Sequence, residues 1–375
     1  KSAMPVSPVT RVPVADAAGL VLRESLHAER DQPPFNRVTM DGIAVRQSAL
    51  DAGRREFKVV GTQGAGAEAI PLGSDTNCVE IMTGAMLPDD ADTVIPVERI
   101  RREDDEAFLE PAYKPSPGQF VHPQGSDHAG GQLLLSPGQR IGAAEMAVLT
   151  ICGQATVEVS KALSAAVIST GSELIEPGQP LAAFQIRSSN ELAIAAALGS
   201  RGIRQPTRAR LPDDPAALRR EIGELHDTHD ILVLSGGVSM GKFDYVPRIM
   251  EELGVDLVFH KILQRPGLPM WFGVSKDNKP IFALPGNPVS SLVCAVRYVV
   301  PAIEQAMGAM PEARLKLPLG RAMDFAPDLT WFLPVRIDAG VDGAPLATPC
   351  PTNTSGDFVS LAGTSGFVEL PRGQD

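Results

Sequence analysis

The chain of 375 residues is poor in aromatic residues, cysteines and long apolar runs. Its four cysteines, Cys78, Cys152, Cys294 and Cys350, are dispersed, and none has a cysteine or histidine neighbour at the spacing of zinc ligands. This pattern indicates buried thiols in a reducing compartment. The sequence shows no signal-peptide pattern and no apolar stretch approaching about 18 residues, so we expect a cytoplasmic protein that does not enter a membrane.

Positive charge is also scarce, with 34 Lys and Arg against 45 Asp and Glu, a net charge of −11. This balance argues against a nucleic-acid partner or an anionic membrane surface. It does not exclude an anionic small molecule, because only the field at the binding site matters. Hydrophobic residues make up 43% of the chain and charged residues 21%, which is typical of globular proteins. At about 100–200 residues per domain, the length predicts two to four domains.

The most informative stretch runs from Ile231 to Tyr245 and reads ILVLSGGVSMGKFDY. Its continuous apolar start predicts a strand buried on both faces, followed by a glycine turn and a helix that begins near Asp244. The run 281–291 repeats this strand, turn and helix pattern, with Asn287 as the predicted N-cap of a helix and Pro288 at its first position. Strand, glycine turn and helix can direct backbone N–H groups at an anion, so a phosphate-bearing ligand is the first hypothesis.

The rest of the chain predicts an α/β fold combined with β-rich segments. Residues 161–308 alternate strands and helices, with a strand over Ala165–Ser169, a helix capped by Asn190 and another capped by Asp214. Such alternation favours a doubly wound parallel sheet with helices on both faces. Short strands punctuated by glycine and proline predict β-rich segments over 35–126 and after residue 308. Residues 8–30 predict one helix, and further elements are expected over 143–152 and 155–159.

Each motif alone also fits a purely structural role. SGGVS and LPGNPVS are then an ordinary turn and a capped helix start, and Asp41 and Thr83 lie in ordinary turns. Asp127, Glu173 and Asp244 are then three solvated carboxylates among many. The functional prediction therefore depends on the combination of motifs and their order.

That combination resembles one known family. Eight motifs occur in the same order with similar spacing over nearly the whole chain: NRVTMDGIAVR, EIMTGAMLPDDADTVIPVE, QGSD, ISTGSELIEPGQPL, QIRSSN, LSGGVSMGKFDYV, HKILQRPGLPMWFG and FALPGNPVS. Together they resemble molybdopterin molybdenumtransferase, the MoeA or gephyrin E-domain family. The resemblance implies insertion of molybdate into adenylyl-molybdopterin with release of AMP. The substrates would then be molybdate and adenylyl-molybdopterin, and the reaction would require Mg²⁺.

The resemblance also implies four domains and a homodimer. The domains are an elongated domain in two parts (1–34 and 127–160), a β-rich lid domain (35–126), a molybdopterin-binding α/β domain (161–308) and a C-terminal β-barrel (309–375). The active cleft would combine the α/β domain of one subunit with the lid domain of the other. The enzyme that supplies the adenylate, or a molybdoenzyme, is a further partner that this resemblance suggests.

The family's functional residues map onto named positions of this chain. The resemblance implies a catalytic set and a ligand-binding set, with Asp244 as the metal ligand. The catalytic set is Asp41, Thr83, Asp127, Glu173, Asp244 and Arg265. The ligand-binding set is Ser235, Gly236, Gly237, Ser239, Pro266, Gly267, Pro285, Gly286, Asn287 and Ser290.

The chain departs from the family pattern where molybdate is expected to bind. Two lysines of the family's Lys-Pro-Gly-Lys-Pro run are replaced by Arg265 and Leu268, and an arginine of the last domain corresponds to Pro334. Arg187 and Ser188 stand where the family has Tyr-Asp, and Arg336 lies two residues after Pro334. Arginine retains a permanent charge, whereas leucine offers nothing to an oxyanion.

Three functions therefore stay open from the sequence. The first is an active molybdenum or tungsten insertase with an altered oxyanion pocket. The second is a paralogue that binds molybdopterin or its adenylate as a carrier without inserting metal. The third, an adenylyltransferase or nucleotide pyrophosphatase, is disfavoured because the lid motifs and C-terminal segment fit the insertase pattern.

Overall fold

A computed structural model describes residues 4–203, 205–238 and 244–373, so the predicted ligand-binding residue Ser239 lies outside the described residues. The chain divides into two compact units. The first comprises the chain up to Glu24, Pro137–Met146 and everything from Ala155 onward. The second comprises Ser25–Ser136 and Ala147–Gln154. The predicted elongated domain (1–34 and 127–160) is divided between these two units, and the boundaries of the four predicted domains stay a prediction.

The elements of residues 9–160 are mostly short strands. They are β1 (Val9–Pro13), β2 (Leu26–His27), β3 (Arg37–Val38), β4 (Gly42–Val45), α1 (Gln47–Asp51), β5 (Glu56–Gln63), β6 (Asn77–Ile81), β7 (Thr93–Pro96), β8 (Ile100–Glu103), β9 (Glu106–Leu109), β10 (Val121–His122), β11 (Leu133–Leu135), α2 (Ala143–Ile151) and β12 (Thr156–Ser160). The second unit is built on a six-stranded sheet in the order β7-β4-β6-β5-β9-β8. Every residue of β4 is buried, which explains its unbroken small and apolar sequence.

The helix predicted over residues 8–30 is wrong. Residues 9–13 form β1, which pairs antiparallel with β12, and a single 3-10 turn over Val14–Asp16 follows. The β-branched residues Val9, Thr10 and Val12 favour an extended chain, and Pro13 cannot sit in the interior of a helix. The alanines and leucines after this point produced a helix-like pattern, but Gly19, at φ +82°, turns the chain instead.

The α/β part of the first unit supplies the elements that carry the site. They are β13 (Ala165–Thr170), β14 (Leu174–Ile175), β15 (Ile186–Arg187), α3 (Asn190–Gly199), β16 (Thr207–Leu211), α4 (Pro215–Thr228), β17 (Ile231–Ser235), α5 (Val246–Glu252), β18 (Asp256–His260), β19 (Gln264–Arg265), β20 (Trp271–Val274), β21 (Pro280–Leu284), α6 (Pro288–Cys294), a π-helical turn (Ala295–Val299) and α7 (Val300–Ala306). Asp214 caps α4 as predicted, since its side chain accepts a hydrogen bond from Ala217 N at 2.7 Å.

A six-stranded sheet in the order β16-β13-β17-β21-β20-β18 forms the centre of this part. The four strands from β16 to β21 are parallel, as predicted, and β20 and β18 add two antiparallel strands at one edge. All residues of β13, β17 and β21 are buried. One face packs against Ile194 and Val299, and the other against Leu218 and Ile249, so helices cover both faces.

The C-terminal strands are β22 (Thr330–Ala339), β23 (Pro345–Pro349) and β24 (Gly366–Leu370). The long strand β22 pairs antiparallel with both β23 and β24, and its start pairs in parallel with β19. The predicted C-terminal barrel is therefore present as a half-barrel. Across the described residues, no helix is both long enough and apolar enough to cross a bilayer.

Candidate functional site

A cavity of about 570 Å³ opens at the carboxyl ends of β13, β17 and β21, and we call it the strand-end cavity. The chain leaves each of these strands in a turn, and the three turns meet there because parallel strands end at one edge of the sheet. The turns lie at Gly171–Glu173, Gly236–Val238 and Pro285–Asn287. The strand-end cavity thus joins the motifs that the sequence suggested for a phosphate-bearing ligand.

Two glycines of the second turn are required by close packing and positive φ. A Cβ atom on Gly236, at φ +100°, would lie 2.7 Å from the carbonyl oxygen of Thr170, and one on Gly237, at φ +67°, would lie 2.8 Å from Val246 Cγ2. The amide of Gly236 donates to Leu284 O at 3.1 Å, so it is not available to a ligand as the sequence suggested. The amides of Gly237 and Gly286 make no backbone hydrogen bond to another described residue.

Ser235 ties two of the turns together instead of presenting its hydroxyl to the cavity. Its Oγ accepts from Asn190 Nδ2 at 2.8 Å, lies 2.9 Å from Ser291 Oγ and donates to the carbonyl oxygen of Pro285 at 3.2 Å. Asn190 also donates to Gly286 O at 2.7 Å. Asn190 was predicted as a helix cap, but it is the first residue of α3 and Ser189 holds the cap position. Its role in joining both turns was therefore missed.

The charges that line the strand-end cavity are mainly negative. Glu173, Asp213 and Asp244 contribute carboxylates, whereas Arg187 is the one lysine or arginine among the described lining residues. Arg187 donates from Nη1 to Glu176 O at 2.8 Å, which fixes one end of its guanidinium. A Cβ atom on Gly171 would lie 2.8 Å from the Glu173 carboxylate, so glycine is needed for that side chain to fold back. Asp213 lies in none of the predicted motifs.

The acidic residues of the strand-end cavity decide whether it can hold Mg²⁺. Within the described residues, no group of three or more His, Cys, Asp or Glu forms a ready-made metal site. Mg²⁺ commonly binds one or two carboxylates and completes its shell with water and substrate phosphate oxygens, so a three-residue cage is not required. The carboxylates of Glu173, Asp213 and Asp244 in one cavity fit this mode of binding.

A second cavity of about 560 Å³ lies beside the turn Arg265–Pro269, and we call it the turn cavity. Its lining includes Ser290, Pro334 and the segment 351–355. Arg265 is the only lysine or arginine among the described residues that line it. Arg336 is not one of them, and its guanidinium forms two hydrogen bonds to Asp338, at 2.7 and 3.0 Å. Arg336 therefore adds no charge to the described lining of the turn cavity.

Asn287 lies in the strand-end cavity and Ser355 in the turn cavity, and their side chains meet between the two. Asn287 occupies the predicted N-cap position of α6, but its side chain makes no capping hydrogen bond. Instead its Nδ2 donates to Ser355 Oγ at 2.8 Å. This hydrogen bond joins a residue that lines the strand-end cavity to one that lines the turn cavity.

In the second unit, the predicted residues Asp41 and Thr83 are in direct contact. Asp41 Oδ1 accepts hydrogen bonds from the Thr83 backbone N at 2.7 Å and from Thr83 Oγ1 at 2.6 Å. The hydroxyl bond first, and the backbone bond second, lower the pKa of the Asp41 carboxyl below its ordinary value. Asp41 is therefore an exposed carboxylate held in its charged form.

Asp127, also in the second unit, belongs to a separate hydrogen-bond network. Its Oδ1 is 3.0 Å from His122 Nε2, and Arg37 Nη2 is 3.1 Å from His122 Nδ1. Since arginine can only donate, His122 accepts at Nδ1 and presents its Nε2 proton to Asp127. Neither His122 nor Arg37 was predicted as a site residue.

The predicted site residues thus fall into four groups. The first group lines the strand-end cavity: Glu173, Ser235, Gly236, Gly237, Asp244, Pro285, Gly286 and Asn287. The second group lines the turn cavity: Arg265, Pro266, Gly267 and Ser290. Asp41 with Thr83 forms the third group, and Asp127 with His122 the fourth.

Three family models together match most of the chain. The MoeA N-terminal region (domain I and II) matches residues 1–153, and the MoeA C-terminal region (domain IV) matches residues 316–375. Between them, a model described as "Probable molybdopterin binding domain" matches residues 166–305. The match to the molybdopterin-binding model includes the carboxyl ends of the three strands that form the strand-end cavity.

Full-length relatives give the same result. A molybdopterin molybdenumtransferase from Synechocystis sp. is 38% identical over 366 residues, which cover 97% of this chain and 91% of the relative. One from Staphylococcus aureus is 33% identical over 374 residues, which cover 98% of this chain and 88% of the relative.

Solved structures also match over the whole chain. The molybdopterin biosynthesis MoeA protein from Pyrococcus horikoshii superposes with a TM-score of 0.77 at 32% identity and covers 99% of this chain and 92% of its own. A second MoeA structure, from Pyrococcus horikoshii OT3, has a TM-score of 0.80 at 24% identity, covers 100% of this chain and 93% of its own, and supports the fold alone.

Proposed function

Because the chain belongs to the molybdopterin molybdenumtransferase (MoeA) family, we propose that it inserts molybdate into adenylyl-molybdopterin and releases AMP. In this account the protein is a transferase of molybdenum cofactor biosynthesis. The observation that carries the proposal is the strand-end cavity, which glycine turns and three carboxylates line at the ends of parallel strands. A substrate that contains a pyrophosphate group, and binds together with a divalent cation, suits that combination.

The phosphates of the adenylate are proposed to lie against the turns of Gly237 and Gly286. Their amides make no backbone hydrogen bond to described residues, and backbone amides hold phosphate oxygens without adding a full positive charge. Arg187 supplies the one guanidinium in the described lining of the cavity. The side chains of Ser235 and Asn190 act indirectly, because their hydrogen bonds fix the two turns relative to one another.

Asp244 is proposed to hold Mg²⁺, and Glu173 and Asp213 line the same cavity. Three carboxylates facing one guanidinium would repel a pyrophosphate, so the cavity suits this substrate only together with a cation. When bound, Mg²⁺ supplies charge neutralisation and polarises the phosphate bridge that is cleaved. Asp244 then has two roles: it fixes the cation and orients the phosphates against the turns.

Molybdate is proposed to bind in the turn cavity with Arg265 as its main cation. Arg265 lines that cavity and offers a bidentate fork to an oxyanion, and Pro266, Gly267, the buried Ser290 and the acidic Asp324 are also part of its wall. Leu268 and Pro334, which also line the turn cavity, add no charge. The affinity for molybdate is accordingly expected to be low.

The family resemblance further supports a homodimer in which Asp41, Thr83 and Asp127 complete the cleft of the other subunit. Asp41 and Asp127 are exposed carboxylates, and Thr83 keeps Asp41 charged. We propose that these residues shape and polarise the cleft from the lid side. Cytoplasmic localisation, and contact with the enzyme that supplies the adenylate or with a molybdoenzyme, belong to the same proposal.

The test combines the purified protein with adenylyl-molybdopterin, Mg²⁺ and molybdate, and measures AMP and active cofactor together. Insertion predicts that both products appear and that both depend on Mg²⁺ and molybdate. Tight binding of the adenylate without AMP release or cofactor formation would instead identify a carrier.

A further inference from the structure

A buried glutamine lies directly beneath the turn that carries Arg265. The Gln264 residue is only 1% exposed, and its Nε2 donates to the carbonyl oxygen of Pro266 at 2.9 Å. Its Oε1 accepts a hydrogen bond from the hydroxyl of Tyr298. Gln264 and Pro266 flank Arg265 on either side, so this one side chain closes the backbone around the arginine and connects it to Tyr298.

The turn packs closely against the side chains beneath it. Gly267 has φ +100°, and a Cβ atom there would lie 2.6 Å from both Cys294 Sγ and Gln264 Nε2. The thiol of Cys294 also donates to the carbonyl oxygen of Gly267 at 3.7 Å. Two consecutive carbonyl groups of the turn, those of Pro266 and Gly267, are therefore held by side chains from below.

Tyr298 belongs to the π-helical turn Ala295–Val299, which interrupts the helical stretch between α6 and α7. Single π-helical turns inside helices are frequent at functional sites, because they redirect side chains out of the α-helical pattern. Burial raises the pKa of Tyr298 and raises that of Cys294 to about 12, so both groups stay protonated hydrogen-bond donors at neutral pH.

We propose that Gln264 and Tyr298 are positioning residues that hold Arg265 in place for the oxyanion in the turn cavity. This inference rests on the proposed function, in which Arg265 is the main cation for molybdate. Neither residue acts on the adenylate, because the strand-end cavity has its own lining and contains neither of them. Their effect should therefore appear in the use of molybdate and not in the use of adenylyl-molybdopterin.

The test uses two conservative variants. Gln264→Met keeps the length of the side chain but removes its hydrogen bonds, and Tyr298→Phe removes a single oxygen atom. Each should raise the molybdate concentration for half-maximal insertion by about tenfold, the change that about 1.4 kcal/mol of lost binding produces. The half-saturating concentration of adenylyl-molybdopterin and the rate at saturating molybdate should stay within about twofold of the parent values, which is about 0.4 kcal/mol. The double variant should be no worse than Gln264→Met, because Tyr298 acts through Gln264.

Tyr113→Phe is the matched control. The Tyr113 hydroxyl accepts one hydrogen bond from Gln119 Nε2 at 2.8 Å in the second unit, so the substitution removes one comparable bond far along the chain from Arg265. It should leave the requirement for molybdate unchanged. Thermal unfolding of all variants shows whether Tyr298→Phe, the milder change, retains the fold.

Unchanged use of molybdate in both variants would overturn the inference, and so would an equal loss in the use of both substrates. Calorimetric binding of molybdate alone separates this failure from failure of the proposed function. If the parent binds molybdate but makes no cofactor, the proposed function fails and the binding comparison still tests the positioning role. If the parent makes cofactor and its variants match it, the positioning role alone is wrong.

Discussion

Asp41 and Thr83, 42 residues apart in the sequence, form a pair in which one carboxylate oxygen accepts both the backbone and the hydroxyl hydrogen of the threonine. The two bonds, at 2.7 and 2.6 Å, stabilise the charged carboxylate and lower its pKa. The resemblance to the family suggested both residues separately. The contact between them gives Thr83 a definite task, which is to orient Asp41 and keep it ionised.

Thr83→Val should therefore raise the pKa of Asp41 toward its ordinary value of about 3.9, since the hydroxyl bond is the larger cause of the shift. Titration of the carboxyl by NMR measures this directly. A lowered folded pKa stabilises the protein above the unfolded pKa, and this stabilisation is lost as the pH falls through the folded pKa. The parent should thus exceed the variant in stability at neutral pH and lose that advantage in acid.

The matched control for this experiment is Thr62→Val. Thr62 donates to a carboxylate oxygen of Glu80 at 2.7 Å in the same unit, so the substitution removes a similar hydroxyl bond. It should leave the pKa of Asp41 unchanged. An Asp41 pKa that does not respond to Thr83→Val would contradict the assignment of the shift to this pair.

Asp244→Asn should leave the fold intact and slow Mg²⁺-dependent AMP release by orders of magnitude. The substitution keeps the size of the side chain but removes the charge that is proposed to hold the cation. The comparison is Asp256→Asn, which makes the same change at an exposed position of the same α/β part, outside both cavities. Equal AMP release from the parent and Asp244→Asn across a Mg²⁺ titration would remove Asp244 from the mechanism.

Leu268→Lys should lower the molybdate concentration needed for half-maximal insertion, and Arg265→Ala should raise it. Two unit charges about 4 Å apart interact by roughly 4 kcal/mol at an effective dielectric of about 20, before the cost of desolvation, so one cation can change affinity by more than tenfold. High molybdate should partly rescue Arg265→Ala. Leu263→Lys, at a 56% exposed leucine outside the turn cavity, is the control and should have no effect. A Leu268→Lys variant that behaves like this control would contradict the proposed position of molybdate.

Mixing two inactive chains tests whether the site is shared between subunits. If Asp41 completes the cleft of the partner, Asp41→Ala and Asp244→Ala chains should recover activity after co-refolding, because some mixed dimers contain one intact cleft. Light scattering should show a dimer at micromolar concentration. A monomer, or a mixture that stays inactive although mixed dimers form, would count against the shared cleft.

The central sheet could be predicted because its sequence carries one consistent signal. Continuous apolar runs such as Ile231–Leu234 have few other structures available to them than a strand buried on both faces. The stretch 9–13 was misread because the residues after it are rich in alanine and leucine, while its own β-branched residues pair with a strand almost 150 positions later. The local sequence favours an extended chain but does not identify a pairing partner so far along the chain.

The residue types at the site could also be predicted. The hydrogen-bond partners of those residues could not. Gly236 and Ser235 were expected to face the ligand, whereas the glycine amide and the serine hydroxyl are occupied within the protein. Arg336 was a candidate replacement for a missing cation, yet it is paired with Asp338. These outcomes depend on which groups the fold brings within about 3 Å of one another. The spacing of motifs along the sequence does not encode those distances.

The most direct test of the account is the ratio of AMP released to active cofactor formed in a single turnover of purified protein with adenylyl-molybdopterin and Mg²⁺. Metal insertion predicts that the two products appear together, one AMP for each cofactor, and that both rise with molybdate over a wide concentration range. AMP without cofactor at saturating molybdate would contradict insertion, as would bound adenylate that stays intact.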